Sequence, residues 1–228
     1  MKKYLPLLIF VPFVVSLAAQ STTRWKTDLS PQKVFIENKG QFDGENNLAN
    51  SQTLFATDRG PCMVYFTNTG LTFKLEKRKK PVKAEHEGIE RRNPEEREEE
   101  EHKLNVKTDF VQMQWLNTNP GVVVTGLDEA QGYYNFGLDK GSINRVRAFN
   151  KIVYKNLYPN IDVEYVFHAG QGIEYSLILH PGADITQVKM SYSDVPKAML
   201  DGNGNMHLGT MFGDIIDHAP LTFYAEQK

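Results

Sequence analysis

The stretch Ile161-Asp162-Val163-Glu164-Tyr165-Val166-Phe167 alternates with period two, so Ile161, Val163, Tyr165 and Phe167 share one side of an extended chain. Gly170-Gln171-Gly172 follows, with the positive φ that glycine supplies to tight turns. A second β-patterned run then occupies residues 173–179. A hairpin with one apolar face must bury that face, which requires further strands or helices to cover it. No long segment elsewhere shows a 3.6-residue period, so the cover comes from other strands.

Those strands are legible as short runs between turn residues. Val34 to Phe42 reads as a strand entering a turn at Asn38-Lys39-Gly40. Runs at 53–57, 62–67 and 71–75 follow, the last two joined through Asn68-Thr69-Gly70. Beyond residue 103 the pattern resumes at 109–116, Val122-Val123-Val124, 152–157, 188–192, 198–200, 206–208, 214–218 and 221–224. Many short strands with turns between them predict an all-β fold, an antiparallel β-sandwich that is either one unit or two packed halves divided near residue 105.

Residues 76–103 interrupt this pattern. Most are charged, the signs nearly cancel, and the stretch ends in Glu95-Glu96-Arg97-Glu98-Glu99-Glu100-Glu101. Such a composition buries too little apolar surface to offset its ordering entropy, which predicts a solvated, flexible insertion. Closure entropy grows slowly with loop length, so the surrounding fold tolerates it.

The amino end predicts an export route. Lys2 and Lys3 precede an apolar run, and Ser16-Leu17-Ala18-Ala19 supplies small residues for cleavage, giving a signal peptide over 1–19. The run is shorter than a membrane span needs, and Pro6 and Pro12 interrupt it. Residues 20–33 read as an extended lead-in and 34–228 as the module. The strand-like run before Gln227-Lys228 predicts that these residues form the amino-terminal part of something longer. A formal net charge of −2 argues against a nucleic-acid binder. Cys62 is the only cysteine, so no internal disulfide staples the fold, and its expected place is a buried apolar site.

Candidate chemistry is sparse. The chain has no nucleophile elbow, His-Glu-x-x-His helix, phosphate loop or paired-cysteine metal spacing. Asp162 and Glu164 share one strand face and could do paired-carboxylate glycosidase work, but a polar outer face opposite the apolar set is the favoured expectation. Asp201-x-Asn203-x-Asn205 resembles the start of a calcium loop. Met206 stands where that loop needs glycine and Phe212 where it needs glutamate, so a turn is expected. His168, His180, His207 and His218 fall at or near strand ends. Tyr133, Tyr134, Phe136, Tyr154, Tyr158, Tyr165 and Tyr175 could line a sugar-stacking surface, although the core is the expected home for most of them; Tyr133, Tyr134 and Phe136 form the candidate glycan-binding patch. No catalytic residue, metal ligand or cofactor is assigned.

Three blocks resemble one family of exported bacterial modules. Phe35-Ile36-Glu37-Asn38-Lys39-Gly40-Gln41-Phe42 resembles its opening ENxGQ motif. Tyr154-Lys155-Asn156-Leu157-Tyr158-Pro159-Asn160-Ile161-Asp162-Val163-Glu164-Tyr165 is similar to its Y-x-N-L-Y-P-G-I-D-L-x-Y stretch. Glu174-Tyr175-Ser176-Leu177-Ile178-Leu179-His180-Pro181-Gly182-Ala183-Asp184 is similar to its x-Y-D-F-x-V-x-P-G-A-D stretch. Asn160 replaces a common glycine, and Ser176 replaces a common aspartate.

That family is an uncharacterised amino-terminal domain of large secreted or surface proteins of gliding-type Gram-negative bacteria. There it precedes SBBP β-propeller repeats, PKD-like domains and a gliding-motility-type sorting domain. The family has no agreed catalytic residues to carry over, and the leading expectation is a non-catalytic surface module serving adhesion, assembly or display, with other envelope proteins as partners. A glycan-binding module is the alternative, and an envelope glycoside hydrolase the most distant reading.

Overall fold

The structure, a computed structural model, describes residues 33–43, 52–57, 62–78, 106–138, 141–168 and 172–224. The signal peptide and residues 20–32 of the lead-in expected at the amino end lie outside the described residues, as do residues 79–103 of the charged segment. Fifteen strands are present among the described residues, with one short 3-10 turn, Ile185–Gln187.

Ten strands make one sheet, all of whose ladders are antiparallel. They are β1 (Phe35–Glu37), β2 (Phe55–Thr57), β3 (Cys62–Phe66), β4 (Gly70–Arg78), β5 (Val106–Trp115), β6 (Val123–Glu129), β9 (Ala148–Tyr158), β10 (Ile161–His168), β11 (Gly172–Leu179) and β12 (Met190–Ser193). The order is β11-β10-β9-β1-β2-β3-β4-β5-β12, with β6 also paired to β9. β7 (Tyr134–Leu138) and β8 (Gly141–Val146) form a separate hairpin. β13 (Lys197–Leu200), β14 (Met206–Thr210) and β15 (Gly213–Asp217) form a three-stranded sheet.

The large sheet curls over until its ends meet. β5 and β10 stand six places apart in the strand order, yet the Trp115 indole N–H donates to the Tyr165 hydroxyl at 3.0 Å. Phe66 on β3 likewise meets Tyr165 edge to face, with centroids 5.3 Å apart. The expected sandwich is therefore one curled sheet, a half-barrel whose two halves face each other across a shared core. Phe35, Phe66, Trp115, Ile152, Tyr154, Ile161, Val163 and Tyr165 fill that interior. The alternation in β10 is the direct cause: Ile161, Val163 and Tyr165 point inward while Asp162 and Glu164 face out.

The middle of the sheet is buried on both faces. Phe35 belongs to the interior, while its neighbour Ile36 belongs to a second cluster with Phe42, Ala56, Tyr65 and Val146. Tyr134, Phe136 and Ile143 of the β7–β8 hairpin cover this second cluster. Close packing sets one glycine: a Cβ on Gly70 would stand 2.1 Å from the Met113 carbonyl oxygen of β5.

Four expectations need correction. Cys62 is exposed at the start of β3: it lies on the same face as Val64 and Phe66, but at the strand's outer end, beyond the buried cluster they join. β4 continues through Glu76, Lys77 and Arg78, past the expected start of the charged segment, because β5 supplies a full-length pairing partner. The strand expected at 188–192 is present with shifted bounds: Asp184 caps the 3-10 turn Ile185–Gln187, and β12 runs over Met190–Ser193. Residues 221–224 form no strand, and Leu221 and Tyr224 are 88% and 80% exposed. β8 was not legible, being short, polar and glycine-led.

Candidate functional site

The residues that carry the family resemblance are taken up by the fold itself. Asn38 is the centre of the first block. Its Oδ1 accepts from the Gly40 and Phe42 backbone N–H groups at 2.9 and 3.2 Å. Its Nδ2 donates to the Thr53 carbonyl at 2.9 Å and to Asp43 at 2.7 Å. Gly40 holds φ +108, a backbone state that a side chain would strain. Gln41 closes the turn, donating to the Glu37 carbonyl at 2.6 Å and accepting from the Lys39 N–H at 2.7 Å.

Glu37 ties this turn to the strand leading into β9. Its carboxylate accepts from the Arg147 backbone N–H at 2.9 Å and from the Arg147 guanidinium at 2.8 and 3.1 Å, and pairs with Lys39 at 3.0 Å. Burial favours the neutral acid, but the Arg147 and Lys39 contacts win and bring its pKa down to about 2.

The second and third blocks meet at one corner. Tyr158 and Ile161 flank the two-residue turn Pro159-Asn160, in which Asn160 takes φ +61, so the asparagine does what glycine does in the resembling sequences. The Asp162 carboxylate accepts from the Asn156 N–H at 2.6 Å and lies 3.0 Å from His180 Nε2. Burial works against its charge, yet these two contacts hold it below the usual carboxylate range. The Tyr158 hydroxyl donates to the Leu116 carbonyl at 2.8 Å, and Tyr154, fully buried, donates to the Thr67 carbonyl at 2.6 Å.

The paired acids are each engaged by neighbouring protein groups. Glu164 is bridged to Lys151 at 3.0 Å on the outer face, and Asp162 is held in the corner just described. Ser176 sits directly across from Glu164 on β11. Thr67, Gly70, Thr72 and Gln112 border a shallow hollow between β4 and β5 with room for about one water molecule.

The Asp201 turn uses its carboxylate on donors from protein. Oδ1 accepts from the Asn203 and Asn205 N–H groups at 2.8 and 2.9 Å, and Oδ2 from the Asn205 amide at 2.8 Å. His207 lies between Asp201 and Asp214, at 3.2 and 3.4 Å. His168 pairs with Glu174 at 2.7 Å. His168, His180 and His207 thus meet carboxylates at separate places, and among the described residues no group of three or more His, Cys, Asp or Glu is placed to hold a metal ion.

The aromatic patch divides. Tyr134 and Phe136 are half-buried, stacked on each other with centroids 6.4 Å apart, and Phe136 meets Phe42 edge to face at 5.6 Å. Tyr133 points away and is 55% exposed, with the Arg145 guanidinium carbon 5.0 Å from its ring centroid.

Sequence reasoning missed one polar cluster. Asp217 on β15 accepts from Tyr192 on β12 at 2.5 Å and from Tyr175 on β11 at 3.3 Å, linking the two edge strands of the curled sheet. Burial, and then the negative Asp217 beside them, push both phenols well above the usual range. Trp115 packs edge to face on Tyr175 at 5.7 Å. These residues lie 25 and 42 positions apart from Asp217, so only the folded topology joins them.

Among the described residues no helix is long and apolar enough to cross a membrane. A family model described as a domain of unknown function (DUF7948) matches residues 35–228. No curated protein and no solved structure matches the chain.

Proposed function

The chain belongs to that family of domains of unknown function, and on this premise we propose that it is a non-catalytic structural module of an exported protein. Its role is to give a larger secreted or outer-membrane-associated protein a stable β unit for adhesion, assembly or display. The sequence context expected from the resemblance, with SBBP repeats, PKD-like domains and a gliding-type sorting domain, belongs to this proposal, as does the export route through residues 1–19. Other envelope proteins are the partners it expects.

One observation carries the reading. Glu37, Asn38, Gln41, Tyr154, Tyr158 and Asp162, six polar residues of the first two blocks, each bond within the fold. A motif that marked a catalytic site would leave some of its polar atoms facing a space where substrate fits.

Surface labelling with an antibody to the module, with cell fractionation, tests the location. Recovery in the envelope or medium supports the proposal, and recovery in the cytosol alone overturns it. The purified chain is also expected to release no reducing ends from envelope polysaccharides. Turnover abolished by Glu164→Gln would overturn the non-catalytic reading in favour of a hydrolase.

A further inference from the structure

We propose that the β7–β8 hairpin carries a binding site for acidic sugars, in which Arg145 grips a sugar carboxylate and Tyr133 supports the ring. This goes beyond the structural reading, which stands whether or not the hairpin binds anything. The argument starts from the backbone. Across the hairpin Tyr134 faces Val146 but Phe136 faces Ile143, so β8 has one extra residue, a bulge around Asn144 and Arg145. Bulges of this kind re-aim a side chain.

Arg145 holds φ +56, a conformation that non-glycine residues seldom adopt. Two side chains from elsewhere fix it there. Asn135 Oδ1 accepts its backbone N–H at 3.0 Å, and Lys39 Nζ donates to its carbonyl at 3.1 Å. Strained residues that their surroundings over-determine gather at functional positions. Here the strain delivers the guanidinium to the exposed face of Tyr133.

Arg147, two residues on, gives the contrast. Its guanidinium is engaged by Glu37. Among the described residues no carboxylate pairs with Arg145, whose side chain is exposed. Stacking on an aromatic ring orients the guanidinium plane and leaves its N–H fork available to a carboxylate.

The ligand class follows from what is presented. A neutral sugar needs a bare ring face, and this one has a cation over it. A nucleic acid needs many basic groups, and the chain has a net charge of −2. One planar cation beside one phenol fits a uronic-acid unit, whose carboxylate meets the fork while its C–H surface meets the ring edge.

Calorimetric titration of the intact chain with tri-galacturonate, and with maltotriose as the neutral control, tests this. Saturable binding of the uronate, at least tenfold tighter than the control and weakened by salt, is expected. Arg145→Gln and Arg145→Lys should each lose roughly tenfold, since lysine keeps the charge without the fork. Arg145→Gly should keep or raise the thermal midpoint, because glycine accepts the positive φ, while abolishing binding. Equal binding of the two sugars, no saturable uronate binding, or unchanged affinity in Arg145→Gly overturns the proposal.

Discussion

The turn after β1 and the β7–β8 hairpin lie against the same apolar cluster, yet they use their polar residues in opposite ways. In the first, Asn38 makes four hydrogen bonds and Glu37 binds Arg147 through backbone and guanidinium together. In the second, Tyr134 and Phe136 anchor the hairpin while Tyr133 and Arg145 stand in solvent. The difference teaches that family resemblance and binding capacity need not coincide. The recognisable motif holds the sheet together, and the outward-facing chemistry sits on a segment the motif does not include.

Substitutions can break this contrast, and the largest effect belongs to Asn38. Asn38→Ala removes both arms of the turn and leaves buried backbone groups without partners, so denaturant unfolding should show a loss of about 3 kcal/mol. Acid comes next. The Glu37 carboxyl is lowered to about 2 in the folded chain. A lowered acid contributes stability above its unfolded value, and that contribution disappears as pH falls from about 4.5 toward 2. With Arg147 half exposed, screening reduces it to on the order of 1–2 kcal/mol. Thermal midpoints measured from pH 6 to pH 2 should fall more steeply for the wild type than for Glu37→Gln.

Tyr158→Phe sharpens the comparison at the β9–β10 corner. It keeps the ring in the core and removes the donor to the Leu116 carbonyl, with an expected cost of about 1 kcal/mol by urea titration. Tyr133→Ala is the smallest effect. An exposed ring outside both clusters should change stability by less than about 0.5 kcal/mol. A cost above that would place Tyr133 in the fold rather than on its surface.

How far the sequence revealed this molecule depends on the range of the interactions. The β10–β11 hairpin was legible because one buried face forces period two, and every pairing from Ile161 to His168 obeys it. Most of the strand aromatics were expected in the core: Tyr154, Tyr158 and Tyr165 are there, while Tyr175 is only part-buried against it. Residues 221–224 carry strand-like residue types but have no strand partner, and pattern alone cannot supply one. The curl of the sheet and the Asp217 cluster depend on contacts between distant strands, which no local spacing encodes. The glycan patch expected over Tyr133, Tyr134 and Phe136 divides for a local reason: Tyr134 and Phe136 turn to the apolar cluster while Tyr133 beside them faces solvent.

The central claim is that the motif residues are consumed by the fold, and native-state amide hydrogen exchange on the wild-type chain tests it most directly. The Gly40, Phe42, Arg147 and Asn156 amides donate to Asn38, Glu37 and Asp162 side chains. They should therefore exchange as slowly as the core amides of β9 and β10, opening only with global unfolding. Exchange at the rate of free loop amides would contradict the account, because the motif would then be open to a ligand rather than closed on itself.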